Sequence, residues 1–169
     1  TSGLMVVAKS RQAMDQLVKQ IAAREVGRQY LALAHRPWVG VSPRVVETAI
    51  GRDVRNRLRM GVVDAEKGQG KEAKTTLELL QNAAEGCLVL ARLHTGRTHQ
   101  IRVHMSHIGH PLVADGLYGG APAAGMTRHA LHAWRLGLVH PITGEALAFE
   151  RAPPGDFMSA CALWNVTVP

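Results

Sequence analysis

The chain has 169 residues, of which 46% are apolar and 20% charged, as is typical of one globular domain with a substantial core. No apolar run is long enough to cross a bilayer and residues 1–24 lack the zones of a signal peptide, so we predict a cytoplasmic protein without a membrane span. The 20 Lys and Arg outnumber the 13 Asp and Glu, giving a net charge of +7, which favours a polyanionic partner such as nucleic acid.

The first part of the chain predicts a strand, a helix and a second strand. Residues 4–8 form a short apolar run and are interpreted as a strand. Ser10 is placed to cap the helix that follows. Apolar residues recur there at helical spacing and predict one buried face, made of Met14, Leu17, Val18 and Ile21. Residues 29–34 are predicted as a second strand, and the prolines and glycine at 37–43 mark a loop.

The middle of the chain predicts successive strands. These are the apolar or alternating runs 45–50, 58–63, 75–80 and 87–93, separated by turn-like segments. Cys87 would lie on the same face of its strand as Val89, Ala91 and Leu93, so it is interpreted as a buried, reduced thiol.

The remainder adds helices and a closing pair of strands. Thr98 is predicted to cap a helix that runs to about residue 108, with Gly109 in the left-handed conformation after its end. A glycine-rich loop at 114–124 precedes strands at 131–139 and 146–149 and a short helix at 156–163. Strands outnumber helices and follow one another, so we predict an α+β fold, mainly an antiparallel sheet with a few flanking helices, in one domain spanning residues 1–169.

Several residues are candidates for a site. Arg97 lies at the junction of a strand and the predicted helix, where an arginine can pair bidentately with a carboxylate or phosphate, although spacing alone favours an ordinary surface ion pair. Tyr30 would usually pack in the core, but on a strand it could also stack on a flipped base. Asp115 precedes a glycine and is interpreted as a turn residue.

A basic cluster is the second kind of candidate. If residues 55–59 are extended, Arg55, Arg57 and Arg59 point to one side and form a cationic stripe. Lys71 and Lys74 follow nearby. A stripe with strand periodicity fits contact with a phosphate backbone, and a solvated sheet face is the alternative.

Five histidines crowd into the segment 94–110. They invite a metal hypothesis, but the chain has no HExxH motif, and no Cys or carboxylate completes a familiar ligand set. We therefore predict no metal site, and interpret these histidines as hydrogen-bonding or RNA-facing.

The order of its motifs makes the chain resemble the RluA-type family of RNA pseudouridine synthases. Thr1-Ser2-Gly3-Leu4 is similar to the second half of the family's H-R-L-D-x-x-T-S-G-L motif. Residues 28–32 resemble its K-x-Y-x-A segment, with Arg28 in place of the lysine. Residues 96–104 match the G-R-T-H-Q-I-R-x-H block in full. Further matching segments lie in the family's order between and after these, at residues 59–60, 70–75, 110–119, 131–133 and 140–141.

The resemblance implies an isomerase that converts uridine to pseudouridine in structured RNA, here ribosomal RNA of the large subunit, without a cofactor. It implies that Arg97 pairs with the family's nucleophilic Asp and that Tyr30 stacks on the uracil. This agrees with the basic cluster found from spacing and charge. The residues predicted to bind the RNA are Arg55, Arg57, Arg59, Lys71, Lys74, His99 and Arg102.

Besides Arg28, three positions of the family pattern are changed or lie outside the chain. The nucleophilic Asp would lie three residues before Thr1, so the domain is expected to be incomplete at its N-terminus, and the chain as given to be inactive. Leu77 stands where the family often has Tyr or Phe, and Ala114 where it often has Gly. The alternative function is a non-catalytic RNA-binding module, and a metal-dependent hydrolase is a weaker alternative. We expect the protein to be a monomer.

Overall fold

The computed structural model describes residues 1–66 and 69–169. Within them lie three α-helices, eight strands and a short 3₁₀ helix at Gly116–Tyr118. The helices are α1 (Arg11–Ala22), α2 (Gln100–His107) and α3 (Gly155–Leu163). The strands are β1 (Ser2–Gly3), β2 (Gly27–His35), β3 (Arg44–Arg52), β4 (Met60–Val63), β5 (Lys71–Asn82), β6 (Gly86–Leu93), β7 (Leu131–Val139) and β8 (Ala146–Glu150). No helix in these two ranges is long and apolar enough to cross a membrane.

The described strands form one sheet. Its order is β1-β7-β2-β6-β5-β3-β4, and β8 also pairs with β7. All neighbours are antiparallel except β1, which runs parallel to β7 over two residue pairs. The predicted α+β class with a mainly antiparallel sheet is confirmed.

The central strands are buried on both faces of the sheet, because a helix packs on each side. Leu88 and Leu90 of β6 contact the cluster that contains Phe157 of α3. Cys87, Val89 and Ala91 point the other way and join the cluster of Ile101 and Met105 from α2. The shared face predicted for Cys87 is therefore confirmed. Its thiol is free and buried, and burial raises its pKa to about 12.

Two predictions about the first 22 residues need correction. Residues 4–8 do not form a strand: after Gly3 and a last bond from Leu4 N–H to the Ala133 carbonyl, the chain leaves the sheet. Ser10 does cap α1, accepting from Ala13 N–H across 3.2 Å. The predicted buried face of α1 is narrower than expected, with Leu17 buried and Met14 and Val18 exposed, because this helix covers only the edge of the sheet.

The basic segment is also not a strand. Residues 53–59 form the turn that joins β3 to β4, and the strand predicted from residue 58 begins at Met60. The side chain of Asp53 causes this turn by accepting from the backbone N–H of Arg55 at 2.8 Å and from Nε of Arg59 at 2.5 Å. The stripe of alternating arginines is therefore wrong as a description of local structure.

Candidate active site

A cavity of about 580 Å³ opens where β1, β2 and the start of α2 meet. It brings together residues that are far apart in the chain. Its polar lining includes Thr1, Ser2, Tyr30, Arg97, His99, Gln100, Arg102 and His129, and its apolar lining includes Leu4, Leu93, Ile101 and Leu131. The two residues predicted to be catalytic, Arg97 and Tyr30, share this cavity with the segment that begins at Thr1.

The geometry of β1 holds the N-terminal segment against the cavity. Gly3 has φ +95°, and a Cβ there would lie 2.2 Å from the Ala133 carbonyl oxygen, so only glycine fits. The buried His132 is within hydrogen-bond distance of the Arg151 carbonyl through Nε2 (2.7 Å) and of Ser2 Oγ through Nδ1 (2.9 Å). The carbonyl can only accept, so Nε2 carries the proton and Ser2 donates to Nδ1.

Tyr30 lies on β2 between small neighbours, with Ala91 opposite on β6 and Ala133 opposite on β7. These alanines leave room beside the ring. The pairing of β2 with β7 shifts register between Gln29 and Tyr30, and such a bulge re-aims a side chain. Burial raises the pKa of the Tyr30 phenol, so the ring is neutral at physiological pH.

Arg97 is held at its backbone and at one nitrogen of its side chain. Its N–H donates to Gln100 Oε1 at 2.9 Å, and its Nε donates to the Glu72 carbonyl at 2.8 Å. The terminal nitrogens Nη1 and Nη2 have no partner among residues 1–66 and 69–169. Arg97 therefore presents the forked end of a positioned guanidinium, the arrangement that pairs with a carboxylate.

Gln100 organises this corner of the site, and sequence reasoning missed it. Its Oε1 also accepts from Thr95 Oγ1 at 2.7 Å, and its Nε2 donates to the Lys74 carbonyl at 3.0 Å and to Thr75 Oγ1 at 2.9 Å. Every hydrogen-bonding position of the buried amide is used. The only sequence signal was its place inside the 96–104 block.

His99 begins α2 in an unexpected way. The predicted cap by Thr98 is wrong: His99 occupies the N-cap position with φ +57° and makes no side-chain cap bond. Its Nδ1 lies 2.9 Å from the hydroxyl of Tyr118. Burial and the positive charge of Arg102 lower the pKa of His99, so its ring is neutral at pH 7. Gly109 has φ +87° after the helix, as predicted.

Arg102 and Asp115 form a bidentate ion pair beneath the cavity. Nε and Nη2 of the guanidinium each lie 2.7 Å from a carboxylate oxygen, and both side chains are almost fully buried. Asp115 is therefore more than the turn residue predicted. The guanidinium carbon of Arg102 also lies 4.8 Å from the ring centroid of Tyr118. RNA binding by Arg102 stays a prediction, and the structure adds that two of its nitrogens are already engaged.

The basic residues predicted to bind RNA differ in whether they are exposed or already paired with a carboxylate of the protein. Arg55, Arg57 and Lys71 are exposed. Arg59 pairs with Asp53, and Lys74 lies 3.0 Å from Glu47. A second cavity, of about 490 Å³, is lined by Arg52, Lys71 and Arg97. Because Arg97 lines both cavities, a basic surface continues from the site toward β3 and β5.

The histidines of the 94–110 segment are spread over different contacts. His104 is fully buried, with Nδ1 2.8 Å from Thr75 Oγ1 and Nε2 3.0 Å from Thr48 Oγ1. His94 contacts Thr76, and His110 stacks on Trp38. In the part of the chain that the structure describes, no three His, Cys, Asp or Glu side chains are grouped to hold a metal ion.

Comparison with known proteins gives a consistent result. The family profile described as RNA pseudouridylate synthase matches residues 1–107. The chain is 44% identical to ribosomal large subunit pseudouridine synthase D of Neisseria meningitidis serogroup B, over 92% of this chain and 43% of that protein. It is 43% identical to the protein of the same name from Pseudomonas aeruginosa, over 94% of this chain and 52% of that protein.

Solved structures agree with the fold. Human RNA pseudouridylate synthase domain containing 1 superposes with a TM-score of 0.71 at 30% identity, covering 88% of this chain and 63% of that one. A second human structure, domain containing 4, has a TM-score of 0.78 at 23% identity over 98% of this chain and 72% of that one, which supports the fold alone.

The profile covers more than half of the chain, and its residues include Tyr30, Arg97 and the segment at Thr1. The chain belongs to the RNA pseudouridylate synthase family. It spans about half the length of the curated relatives that it matches.

Proposed function

We propose that this chain is the core of the catalytic domain of an RNA pseudouridine synthase that acts on structured RNA, specifically ribosomal RNA of the large subunit. The convergence of Arg97, Tyr30 and the segment beginning at Thr1 in one cavity carries this proposal. The names of the Neisseria and Pseudomonas relatives support the choice of RNA. We expect the protein to act as a monomer in the cytoplasm, where bacterial ribosomal RNA is made.

The reaction is an isomerisation in which atoms are rearranged and none is gained or lost. The C1′–N1 glycosidic bond of a flipped uridine breaks, the uracil turns, and a C1′–C5 bond forms. The proton on C5 is removed, and N1 ends as N–H. No electron donor, acceptor or other co-reactant is required, so we propose that no cofactor takes part.

Each group in the cavity has a proposed role. We propose that a His-Arg-Leu-Asp motif precedes Thr1 in the natural protein, so that its Asp lies three residues upstream of a segment already held at the cavity by Gly3 and Ser2. The free end of Arg97 would keep that Asp ionised and oriented. Tyr30 would stack on the uracil, in a chain with few aromatic residues.

The RNA would approach along the basic surface described above. The arginines of the 53–59 turn, together with Lys71, Lys74, His99 and Arg102, are proposed to contact the RNA. A turn suits this task as well as a strand does, since phosphate contact needs exposed cationic ends and no fixed period.

The proposal is tested with two proteins: the chain 1–169 and a longer protein that begins upstream of the expected Asp. Each is incubated with large-subunit ribosomal RNA transcribed in vitro, and pseudouridine is mapped chemically. We expect the longer protein to modify discrete uridines and the chain 1–169 to modify none. If neither modifies RNA although both bind it, the protein is a non-catalytic RNA-binding module.

A further inference from the structure

Tyr118 connects the basic turn to the cavity through its hydroxyl group. The side chain is 7% exposed and sits at the end of the 3₁₀ helix. Its hydroxyl oxygen lies 2.9 Å from the backbone nitrogen of Met60 and 2.9 Å from Nδ1 of His99. The ring is packed edge-on against the imidazole at 5.7 Å between centroids, and Arg102 lies over its face.

The direction of these two hydrogen bonds follows from counting protons. Met60 N–H can only donate, so the hydroxyl oxygen accepts from it. The hydroxyl proton then needs an acceptor, and among the described residues His99 Nδ1 is the partner within reach. Were Nδ1 protonated, two donors would meet at one oxygen and the buried hydroxyl proton would be unpaired, which costs about 1–3 kcal/mol.

This arrangement fixes the state of His99. Because Nδ1 accepts, the neutral ring carries its proton on Nε2. His99 lines the cavity that contains Tyr30 and Arg97. Its backbone is in the left-handed region at φ +57°, which is uncommon outside glycine, and the hydrogen bond to Tyr118 ties the side chain down in that conformation.

We propose that Tyr118 is a positioning residue that holds His99 as a neutral Nε2–H donor for a carbonyl oxygen of the substrate uracil. This inference rests on the proposed function for the identity of the substrate. A neutral N–H donor matches a neutral carbonyl acceptor. A phosphate would bind more strongly to a permanently charged guanidinium, such as that of Arg97. Arg102 and Asp115 contribute by fixing the face of the Tyr118 ring.

The first test is the tautomer of His99 in the chain 1–169, read from imidazole ¹⁵N chemical shifts, which needs no enzymatic activity. We expect protonated Nε2 and unprotonated Nδ1 in the wild type. In Tyr118→Phe, which keeps the ring but lacks the hydroxyl, we expect a mixture of tautomers. His94, which contacts Thr76, serves as an internal reference and should not change. Protonated Nδ1 in the wild-type protein would overturn the proposal whether or not the variant folds.

The second test identifies the acceptor. Free uracil offers two carbonyls and no phosphate, and inorganic phosphate offers the reverse. We expect uracil, and not phosphate, to shift the His99 Nε2 resonance, with a smaller shift in Tyr118→Phe. A response to phosphate alone, or none to uracil, would overturn the carbonyl assignment. The first test stands apart from the proposed function, since a protein inactive on RNA would still show the tautomer. The second test needs no turnover, and only its carbonyl assignment depends on uracil being the substrate base.

Discussion

The backbone N–H of Arg97 donates to Oε1 of the buried Gln100 across 2.9 Å. The same amide reaches Thr95, Thr75 and the Lys74 carbonyl, so the loop that carries Arg97 is fastened to β5. An arginine must be held to present its fork to a carboxylate in one geometry. Here Gln100 holds Arg97 in place, through a neutral amide whose hydrogen-bonding positions are all used.

Replacing Gln100 should therefore destabilise the protein. Gln100→Met keeps the length of the side chain but leaves several buried polar groups without partners. At about 1–3 kcal/mol for each unsatisfied group, we expect a loss of roughly 2–5 kcal/mol in the free energy of unfolding, measured by urea denaturation. Gln12→Met, on the exposed part of α1, is the matched control and should change stability little. Equal stability of both variants would show that the network is not needed.

The pair of Arg102 and Asp115 should be sensitive to loss of one partner. Asp115→Asn leaves a buried guanidinium without its counter-charge, which typically costs about 3–5 kcal/mol. The double variant Arg102→Met with Asp115→Leu removes both charges. Its loss in the free energy of unfolding should be smaller than the sum of the losses in Arg102→Met alone and Asp115→Leu alone. The exposed pair of Arg11 and Asp15 is the control, since Asp15→Asn should cost well under about 1 kcal/mol. A strictly additive double variant would contradict the coupling.

Stability should fall in mild acid because of His104. Burial, with a smaller contribution from His107, lowers its pKa to about 4 from an ordinary value of 6.5. The unfolded chain thus binds this proton at higher pH than the folded one. The neutral His104 stabilises the fold above pH 6.5, and this contribution is lost as the pH falls from 6.5 to 4, by an amount on the order of 3 kcal/mol.

The pH effect is measured by urea denaturation between pH 4 and 7. His129, whose pKa is lowered to about 4 mainly by burial, contributes in the same pH range. The slope of the unfolding free energy against pH should therefore correspond to more than one proton in the wild type. His104→Gln should be less stable than the wild type at pH 7. Its slope of unfolding free energy against pH should be smaller by about one proton. A variant with the wild-type slope would contradict the assignment.

Arg57 tests the path of the RNA. It is exposed in the 53–59 turn, so Arg57→Ala should weaken binding to an RNA stem-loop similarly across sequences. The slope of log affinity against log salt should become shallower by roughly 0.7 for one lost contact. Lys19→Ala, on the exposed side of α1, is the control and should leave the slope unchanged. A wild-type slope in Arg57→Ala would place the RNA elsewhere.

The sequence predicts the strands of the sheet well, because alternation and apolar runs report local burial. Strands β2, β3, β5, β6, β7 and β8 all lie where the pattern indicated, as do α1 and α3. Arg97 and Tyr30 were identified from the resemblance and do share a cavity, which spacing alone could not reveal.

Several of the failures come from contact between distant parts of the chain. The apolar run at 4–8 leaves the sheet just after Gly3, which has φ +95° and lies against the Ala133 carbonyl of β7. The arginines at 55–59 are a different case: they follow a local turn in which Asp53 accepts from Arg55 and Arg59, two and six residues away, and their alternating spacing does not reveal it. Asp115 and Tyr118 owe their roles to partners 13 or more residues away, such as Arg102 for Asp115 and Met60 for Tyr118. Gln100 joins the nearby Arg97 to the distant Lys74 and Thr75. No local pattern encodes those long-range contacts.

The most direct test of the account is the single-turnover rate of pseudouridine formation by the longer protein and by its Arg97→Lys variant. Lysine keeps the charge but lacks the planar fork that would pair bidentately with the upstream Asp. We predict that Arg97→Lys retains its fold and its affinity for ribosomal RNA while losing most of the rate, at least about tenfold, or about 1.4 kcal/mol of transition-state stabilisation. A near-normal rate in that variant would contradict the role of Arg97 and with it the proposed active site.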